Sequence, residues 1–193
     1  RADAAAAGRW IGAAIQSRLL GEAAYAQTLG RHFDYVTAEW EMKWDPVQRT
    51  QGVFDFAAAD RIVAFAEAHG MRVKGHALVW HGATPAWVGT LSPPELRIAV
   101  EDHIRTVAGR YRGRLWAWDV VNEAIDDAQP GLRSTVFSRG LGPDYVAEAF
   151  RLARHHHDDE GQGPCAHHVG HDAQRGGLEH LGRLLPRQVT NLE

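Results

Sequence analysis

The amino-acid sequence predicts an α/β fold of parallel βαβ units, which we interpret as the N-terminal part of a (β/α)8 TIM barrel with an irregular tail. Short apolar runs alternate four times with longer helical patterns between residues 9 and 154. Four such units do not close a barrel, which typically needs about 250 residues, and the chain has 193. Polar and aromatic side chains follow the apolar runs, where barrels carry their active sites. We therefore expect about four βα units that share one functional face.

The predicted strands are the apolar runs of this alternation. They cover residues 10–15, 33–37, 71–78 and 115–121. The last run opens with two tryptophans and ends abruptly in Asn122 and Glu123. This pattern is typical of a buried strand that delivers a carboxylate into a cleft.

The predicted helices follow the strands. They cover residues 22–29, 56–69, 92–111 and 143–154. The second places Ile62 and Phe65 on one face and stops at Gly70, a common helix terminator. The third begins with Ser92 as N-cap and Pro93 in the first turn. These start and stop residues support the helix assignment independently of the apolar periodicity.

The sequence changes character after Arg154. Residues 155–193 contain none of the aromatic residues but seven of the 12 histidines. We therefore divide the chain into residues 1–154, the half barrel, and residues 155–193, a His-rich tail. A frameshifted or wrongly spliced reading would explain this tail, and a genuine flexible tail is the alternative. We predict no physiological metal site there, because His-rich tracts also bind metals adventitiously.

Charge and composition exclude several classes of partner. The net charge of −3 argues against nucleic acid, which requires clustered basic residues. No apolar run approaches the ~18 residues expected of a membrane span, so we expect no membrane partner. The single cysteine, Cys165, excludes an intrachain disulfide. The N-terminus lacks both Met and a signal-peptide core, which indicates either a removed leader or a fragment.

Three polar clusters lie at the ends of predicted strands. Their side chains are Glu39, Glu41 and Lys43, then His76, Trp80 and His81, then Asn122 and Glu123. Carboxylates, an ammonium group, imidazoles and flat aromatic rings suit a sugar, whose hydroxyls need hydrogen bonds and whose C–H faces stack on rings. Trp44, Trp116 and Trp118 are better explained as core residues, and Trp87 fits either role.

Five ordered segments carry a family resemblance. They read FDYVTAEWEMKWD, GVFDFAAADRIVAFA, VKGHALVWH, WDVVNEA and LRSTVFSRGLGPDYV. Together they resemble glycoside hydrolase family 10, the retaining endo-1,4-β-xylanases, over about residues 9–154. The resemblance implies xylan and xylo-oligosaccharides as partners, no cofactor, no metal, a monomeric state and a secreted protein.

The resemblance also implies roles for individual residues. Glu123 is the expected acid/base. The expected substrate-binding residues are Glu39, Lys43, His76, Trp80 and Asn122. Asp119 and His81 are expected to form a supporting pair that orients these side chains.

Two departures from the family pattern matter. No segment like the family's late T-E-L-D segment, which provides the nucleophile, is present after Glu123. We therefore expect this chain to be inactive or weak by itself, with a xylan-binding fragment or a non-functional gene product as alternatives. Trp40 stands where the family usually has a sugar-binding asparagine, so we also expect weaker binding at that position.

Overall fold

The computed structural model describes residues 6–157. Within them lies one sheet of four parallel strands in the order β1-β2-β3-β4. The strands are β1 Gly12–Ile15, β2 Tyr35–Ala38, β3 Arg72–Val79 and β4 Ala117–Val121. Helical segments connect each strand to the next, so the predicted parallel βαβ architecture is confirmed, and the sheet is that of the N-terminal part of a (β/α)8 barrel.

Six α-helices accompany the sheet in this part of the chain. They are α1 Ala23–His32, α2 Trp44–Val47, α3 Ala57–Ala68, α4 Pro93–Arg110, α5 Val136–Leu141 and α6 Tyr145–His157. Short 3-10 helices cover Ser17–Leu19, His81–Ala83 and Ala86–Thr90. None of the described helices is long and apolar enough to cross a membrane.

The termini of α3 and α4 follow from local chemistry. At the start of α4, the backbone N–H of Ser92 donates to Glu95 Oε2 at 2.8 Å, which is one half of a capping box. Pro93 is tolerated at the first helical position because that residue needs no helical N–H partner. After α3, Gly70 has a φ of 60°, a conformation that costs glycine little. Both signals were readable in the sequence.

The short helices α2 and α5 were not predicted. Thr135 caps α5 by accepting a hydrogen bond from the Ser138 backbone N–H at 3.3 Å, and Phe137 anchors the helix in the core. A helix this short has too few turns to show a periodic pattern. The last helix, α6, continues to His157, three residues past the predicted boundary. The remaining residues of the predicted tail lie outside the described part of the chain.

The core lies between the outer face of the sheet and the helices. Its larger fully buried members include Trp44, Tyr111, Phe137, Ile15, Met42, Ile62, Leu78, Leu96 and Ile104. Gly75 lets Trp118 pack against β3, since a Cβ on Gly75 would lie 2.2 Å from that ring. Trp44 and Trp118 are buried as expected, whereas Trp116 is only half-buried and contacts Tyr35, with ring centroids 5.6 Å apart.

The opposite face of the sheet is concave and polar. Side chains alternate between the two faces of a strand, so Lys74 and His76 of β3 share the inner face while Val73 and Gly75 face the helices. Asp119 of β4 is paired in register with His76. The fold therefore gathers charged groups on the surface that leads to the predicted site.

Candidate active site

The predicted site residues lie together at the carboxyl ends of three neighbouring strands. Glu39 directly follows β2, Trp80 directly follows β3, and Asn122 and Glu123 directly follow β4. Parallel strands end at the same edge of a sheet, so these side chains share one face. The inner face below them forms a cleft of about 390 Å³, which Glu39, Lys43, His76 and Asp119 line.

Glu123 is held in a distinctive conformation at the end of β4. Its φ is 52°, which is the left-handed region that few residues other than glycine adopt. The backbone carbonyl of Glu123 accepts a hydrogen bond from Arg133 Nε at 3.2 Å, which helps to hold this turn. The side chain is 48% exposed, so the carboxyl group is open to a ligand.

Two side chains of the β3 end contact the Glu123 carboxyl group. Trp80 Nε1–H donates a hydrogen bond to Glu123 Oε2 at 2.9 Å. His81 Nε2 lies 3.7 Å from the same oxygen. Because both contacts fall on Oε2, they fix the rotation of the carboxyl group and leave Oε1 for other partners. The arrangement suits a group that exchanges a proton with a bound ligand.

Lys43 lies between two tryptophan rings. Its Nζ is 4.5 Å from the Trp80 ring centroid and 5.2 Å from that of Trp40. The residue is 8% exposed, and burial lowers the pKa of its ammonium group, while the charges of Glu39 and Glu123 act in the opposite direction. The ammonium group is thus a rigidly placed hydrogen-bond donor facing carboxylates.

Asp119 organises the floor of the cleft. Its Oδ2 lies 2.9 Å from His76 Nδ1 and 2.9 Å from Lys74 Nζ. Burial raises the pKa of Asp119, but the hydrogen bonds from His76 and Lys74 outweigh burial and hold the pKa below its usual value. The carboxylate is therefore ionised, so Nδ1 of His76 carries the hydrogen and Nε2 remains for a ligand.

The expected pair of Asp119 and His81 does not form. Asp119 faces His76 across the strand pairing, whereas His81 lies beyond the end of β3 and contacts Glu123 instead. The physical reason is the strand register, because only residues of the paired segments stand opposite one another. His81 therefore supports Glu123, and Asp119 supports His76.

Two residues that the sequence singled out remain, Asn122 as a substrate-binding residue and Trp87 as a residue that fits either a core or a cleft role. The Asn122 backbone N–H donates to the Val79 carbonyl at 2.9 Å, which prolongs the β3–β4 pairing to the site. No described residue forms a hydrogen bond with the Asn122 side chain, which is half-buried beside Glu123.

Trp87 packs edge-on against Trp44 and donates to the Gln48 carbonyl at 3.2 Å. Trp87 is thus a structural residue rather than a cleft wall.

Sequence reasoning missed three residues that shape the site. These are Gln16, which donates to Glu39 at 2.8 Å, Lys74 beside Asp119, and Arg133 behind Glu123. Glu41, which the sequence placed in the polar cluster after β2, is a buried carboxylate. Lys74 could have been found, because it stands two residues before His76 on the same strand face. Gln16 and Arg133 act across loops, which leave no pattern in the sequence.

The described residues provide no metal site, since residues 6–157 hold no cluster of three or more His, Cys, Asp or Glu side chains able to bind an ion. The predicted His-rich tract lies almost entirely outside them. What the described site offers is a carboxyl group, an ammonium group, an imidazole and exposed indole rings around an open cleft. These groups can bind hydroxyls and transfer a proton.

Comparison with known proteins gives a consistent result. The model of glycosyl hydrolase family 10 matches residues 1–161. Endo-1,4-beta-xylanase B of Paenibacillus barcinonensis is 43% identical over 150 residues, which cover 74% of this chain and 45% of that protein. Endo-1,4-beta-xylanase 3 of Hypocrea jecorina is 40% identical over 146 residues, covering 75% of this chain and 42% of that protein.

Solved structures of such enzymes share the fold. The crystal structure of the Paenibacillus barcinonensis xylanase with a conduramine derivative matches with a TM-score of 0.75 and 41% identity, over 79% of this chain and 48% of that one. Xylanase 10B from Thermotoga petrophila in complex with xylobiose matches with a TM-score of 0.72 and 36% identity, over 76% and 46% of the two chains. The chain thus spans somewhat less than half the length of these relatives.

Proposed function

The chain belongs to glycosyl hydrolase family 10, and on this basis we propose that residues 1–154 form the acid/base half of a retaining endo-1,4-β-xylanase. The observation that carries the proposal is the setting of Glu123, an exposed carboxyl group oriented by Trp80 at the end of β4. The proposed substrates are xylan and xylo-oligosaccharides, as in the relatives whose names state that activity.

In the proposed first step, Glu123 protonates the glycosidic oxygen as the bond between that oxygen and C1 breaks. A second carboxylate attacks C1 from the other side and forms a glycosyl ester. In the second step, Glu123 is a carboxylate and takes a proton from water. The water oxygen then attacks C1 and releases the second carboxylate, so the configuration at C1 is retained.

Neither of the other carboxylates in the described cleft fits the role of nucleophile. Asp119 is buried and bound by Lys74 and His76. Glu39 accepts a hydrogen bond from Gln16 at the end of β2. We therefore assign the second carboxylate to strands of the barrel that follow β4. A polypeptide limited to these 193 residues should bind xylo-oligosaccharides while hydrolysing them several orders of magnitude more slowly than a complete enzyme.

We propose that the substrate-binding residues act through the contacts they make in the cleft. Lys43 and Glu39 hydrogen-bond sugar hydroxyls, and His76 does so through Nε2. Trp80 both orients Glu123 and forms a wall beside the scissile bond. Asn122, whose side chain has no partner among the described residues, contacts the substrate next to Glu123.

Domain boundary and location are further parts of the proposal. The half barrel would occupy residues 1–154 and the tail residues 155–193, supported by the loss of aromatic residues after Arg154. The protein would act outside the cell as a monomer, since a polymer such as xylan does not enter cells.

The proposal is tested in a completed barrel, meaning residues 1–154 of this chain joined to the remaining barrel of the Paenibacillus barcinonensis xylanase. We expect this hybrid to release reducing sugars from xylan, and its Glu123→Gln variant to lose at least about a hundredfold in kcat. The matched control is Glu67→Gln, which changes an exposed carboxylate on α3 that pairs with Arg114 and should keep full activity.

The hybrid also discriminates the alternative functions. Binding of xylotriose without hydrolysis by the hybrid would favour a xylan-binding fragment, and absence of xylotriose binding to both the hybrid and the 193-residue chain would favour a non-functional gene product. A hybrid whose activity survives Glu123→Gln would contradict the assigned role of this residue.

A further inference from the structure

We propose that Arg133 is a positioning residue for the acid/base, because it holds the backbone of Glu123 in its left-handed conformation and links that backbone to Asp127 of the following loop. The inference rests on the proposed function, since it concerns how the proton donor is aimed. Arg133 lies between β4 and α5, ten residues beyond Glu123. It acts through Glu123 rather than by touching the substrate.

The conformation of Glu123 needs support from its surroundings. Its φ of 52° is unfavourable for a residue with a Cβ atom, and no other non-glycine residue in the described part of the chain has a positive φ. Such a conformation persists where neighbouring contacts hold it, and it often occurs at functional sites. Because the side chain of Glu123 is 48% exposed, contacts of its backbone matter for where the carboxyl group points.

Arg133 supplies a contact to this backbone. Its Nε–H donates to the Glu123 carbonyl at 3.2 Å, and its Nη2 donates to Asp127 Oδ2 at 2.5 Å. The two contacts use different nitrogens of one planar group, which an ammonium group could not reproduce with the same geometry. The guanidinium group therefore joins the end of β4 to the loop that follows it.

The backbone of Arg133 is itself anchored. Its N–H donates to the Ala124 carbonyl at 2.8 Å, and its carbonyl accepts a hydrogen bond from Ser138 Oγ at 2.8 Å. Ser138 lies in the first turn of α5, whose Phe137 is buried in the core. The guanidinium group is thus attached to a fixed point of the fold, and it can transmit that fixed position to Glu123.

A simple surface ion pair is the alternative explanation of the contact between Arg133 and Asp127. Asp127 is 74% exposed, and exposed ion pairs contribute little to stability. The Arg133 side chain, however, is only 22% exposed, and its second bond goes to the residue that carries the acid/base carboxyl group. The guanidinium group of Arg139, by contrast, donates to Ser134 within its own segment. Arg139 therefore provides a matched control.

The test substitutes Arg133→Gln in the completed barrel, which removes the charge and the forked donor group. We expect kcat on xylan to fall about tenfold with a smaller change in KM, because a displaced proton donor slows the chemical step more than it weakens binding. Formation of the glycosyl intermediate from dinitrophenyl β-xylobioside should stay within about twofold of wild type, because that leaving group needs no proton.

The burst of dinitrophenolate measures this second step. Its amplitude counts the folded active sites, and its rate constant refers to those sites alone. When kcat on xylan is expressed per active site, a misfolded fraction of the variant lowers the amplitude but does not imitate the predicted difference between the two substrates.

Further variants locate the effect. Asp127→Ala removes one of the two contacts of the guanidinium group and should lower kcat on xylan about threefold. Arg139→Gln should keep the wild-type kcat. Adding Arg133→Gln to Glu123→Ala should cause no further loss of turnover on dinitrophenyl β-xylobioside, because a residue that acts through the Glu123 carboxyl group has no effect once that group is absent.

Each outcome supports or overturns the inference. If Arg133→Gln leaves kcat on xylan unchanged while Glu123→Gln lowers it, the inference is overturned and the proposed function stands. If Arg133→Gln slows both substrates equally, or lowers the turnover of Glu123→Ala further, Arg133 supports the cleft in general and the inference is overturned. An unchanged kcat in Asp127→Ala overturns the role of Asp127. A completed barrel that does not hydrolyse xylan overturns the proposed function and the inference together.

Discussion

The fold contains a buried histidine that should make its stability depend on pH. His103 of α4 is fully buried and stacks on Trp44, with ring centroids 4.1 Å apart and planes inclined by 9°. Neither ring nitrogen has a hydrogen-bond partner of good geometry among the described residues. Burial lowers the pKa of His103 to about 3, and the nearby Leu78 backbone offsets this only in part. The imidazole is therefore neutral in the folded protein.

The sign of the effect follows from this lowered pKa. In the unfolded chain the imidazole takes up a proton below its ordinary pKa of 6.5, whereas in the folded protein it does so only near 3. The contribution of His103 to the unfolding free energy is therefore fully present above pH 6.5 and is lost as the pH drops from 6.5 toward 3. Each pH unit corresponds to about 1.4 kcal/mol, so a shift from neutral pH to pH 5 should lower the unfolding free energy by about 2 kcal/mol.

The assay is urea unfolding of the wild-type protein and a His103→Phe variant at pH 7.5 and pH 5. Phenylalanine keeps a flat ring against Trp44 and has no group to protonate, so the variant should lose about 2 kcal/mol less than wild type between these pH values. His32→Gln is the control, because His32 is exposed at the end of α1. An equal loss of stability in wild type and His103→Phe would refute the reasoning.

Three further predictions concern the site. Trp80→Phe removes the 2.9 Å hydrogen bond to Glu123. This variant of the completed barrel should show kcat on xylan lowered about tenfold with a smaller change in KM. An unchanged kcat would contradict the orienting role of Trp80. Glu41→Gln removes the charge that two backbone N–H groups bind. Urea unfolding should show that the unfolding free energy falls by about 1–3 kcal/mol. An unchanged unfolding free energy would mean that these hydrogen bonds do not hold the loops after β1 and β2 together. Asp119→Asn removes the anion that fixes His76 and Lys74. Calorimetry at pH 7 should show xylotriose binding weakened about tenfold. An undiminished affinity would mean that Asp119 does not position the substrate-binding side chains.

The regular elements were predictable because their causes are local. Alternation of apolar runs and helical periods located four strands and four of the six described helices, with boundaries shifted by a few residues. Ser92 with Glu95 marked the start of α4, and Gly70 marked the end of α3. Each of these features acts within one turn of the chain, so the sequence displays it directly.

The site was predictable in composition but not in its contacts. The resemblance to a family and the strand ends placed Glu39, His76, Trp80 and Glu123 on one face, and the structure brings them there. The partner of Asp119 depends on the register between β3 and β4, which periodicity does not encode.

The contacts between the loops that follow β1 and β2 were likewise invisible in the sequence. The hydrogen bonds of Gln16 with Glu39 and of Ser17 with Glu41 join residues that are more than twenty positions apart. Sequence inspection identified Trp40 only as an unusual residue, and the structure shows that its ring is exposed.

The central claim is that Glu123 supplies the proton to the leaving group, and leaving-group dependence in the completed barrel tests it most directly. Glu123→Ala should nearly abolish hydrolysis of xylan, whose leaving oxygen needs protonation, while retaining formation of the glycosyl intermediate from dinitrophenyl β-xylobioside, whose leaving group does not. Added azide should then speed turnover and yield the β-glycosyl azide. Equal losses on both substrates, with no effect of azide, would contradict the assignment of Glu123 as the acid/base.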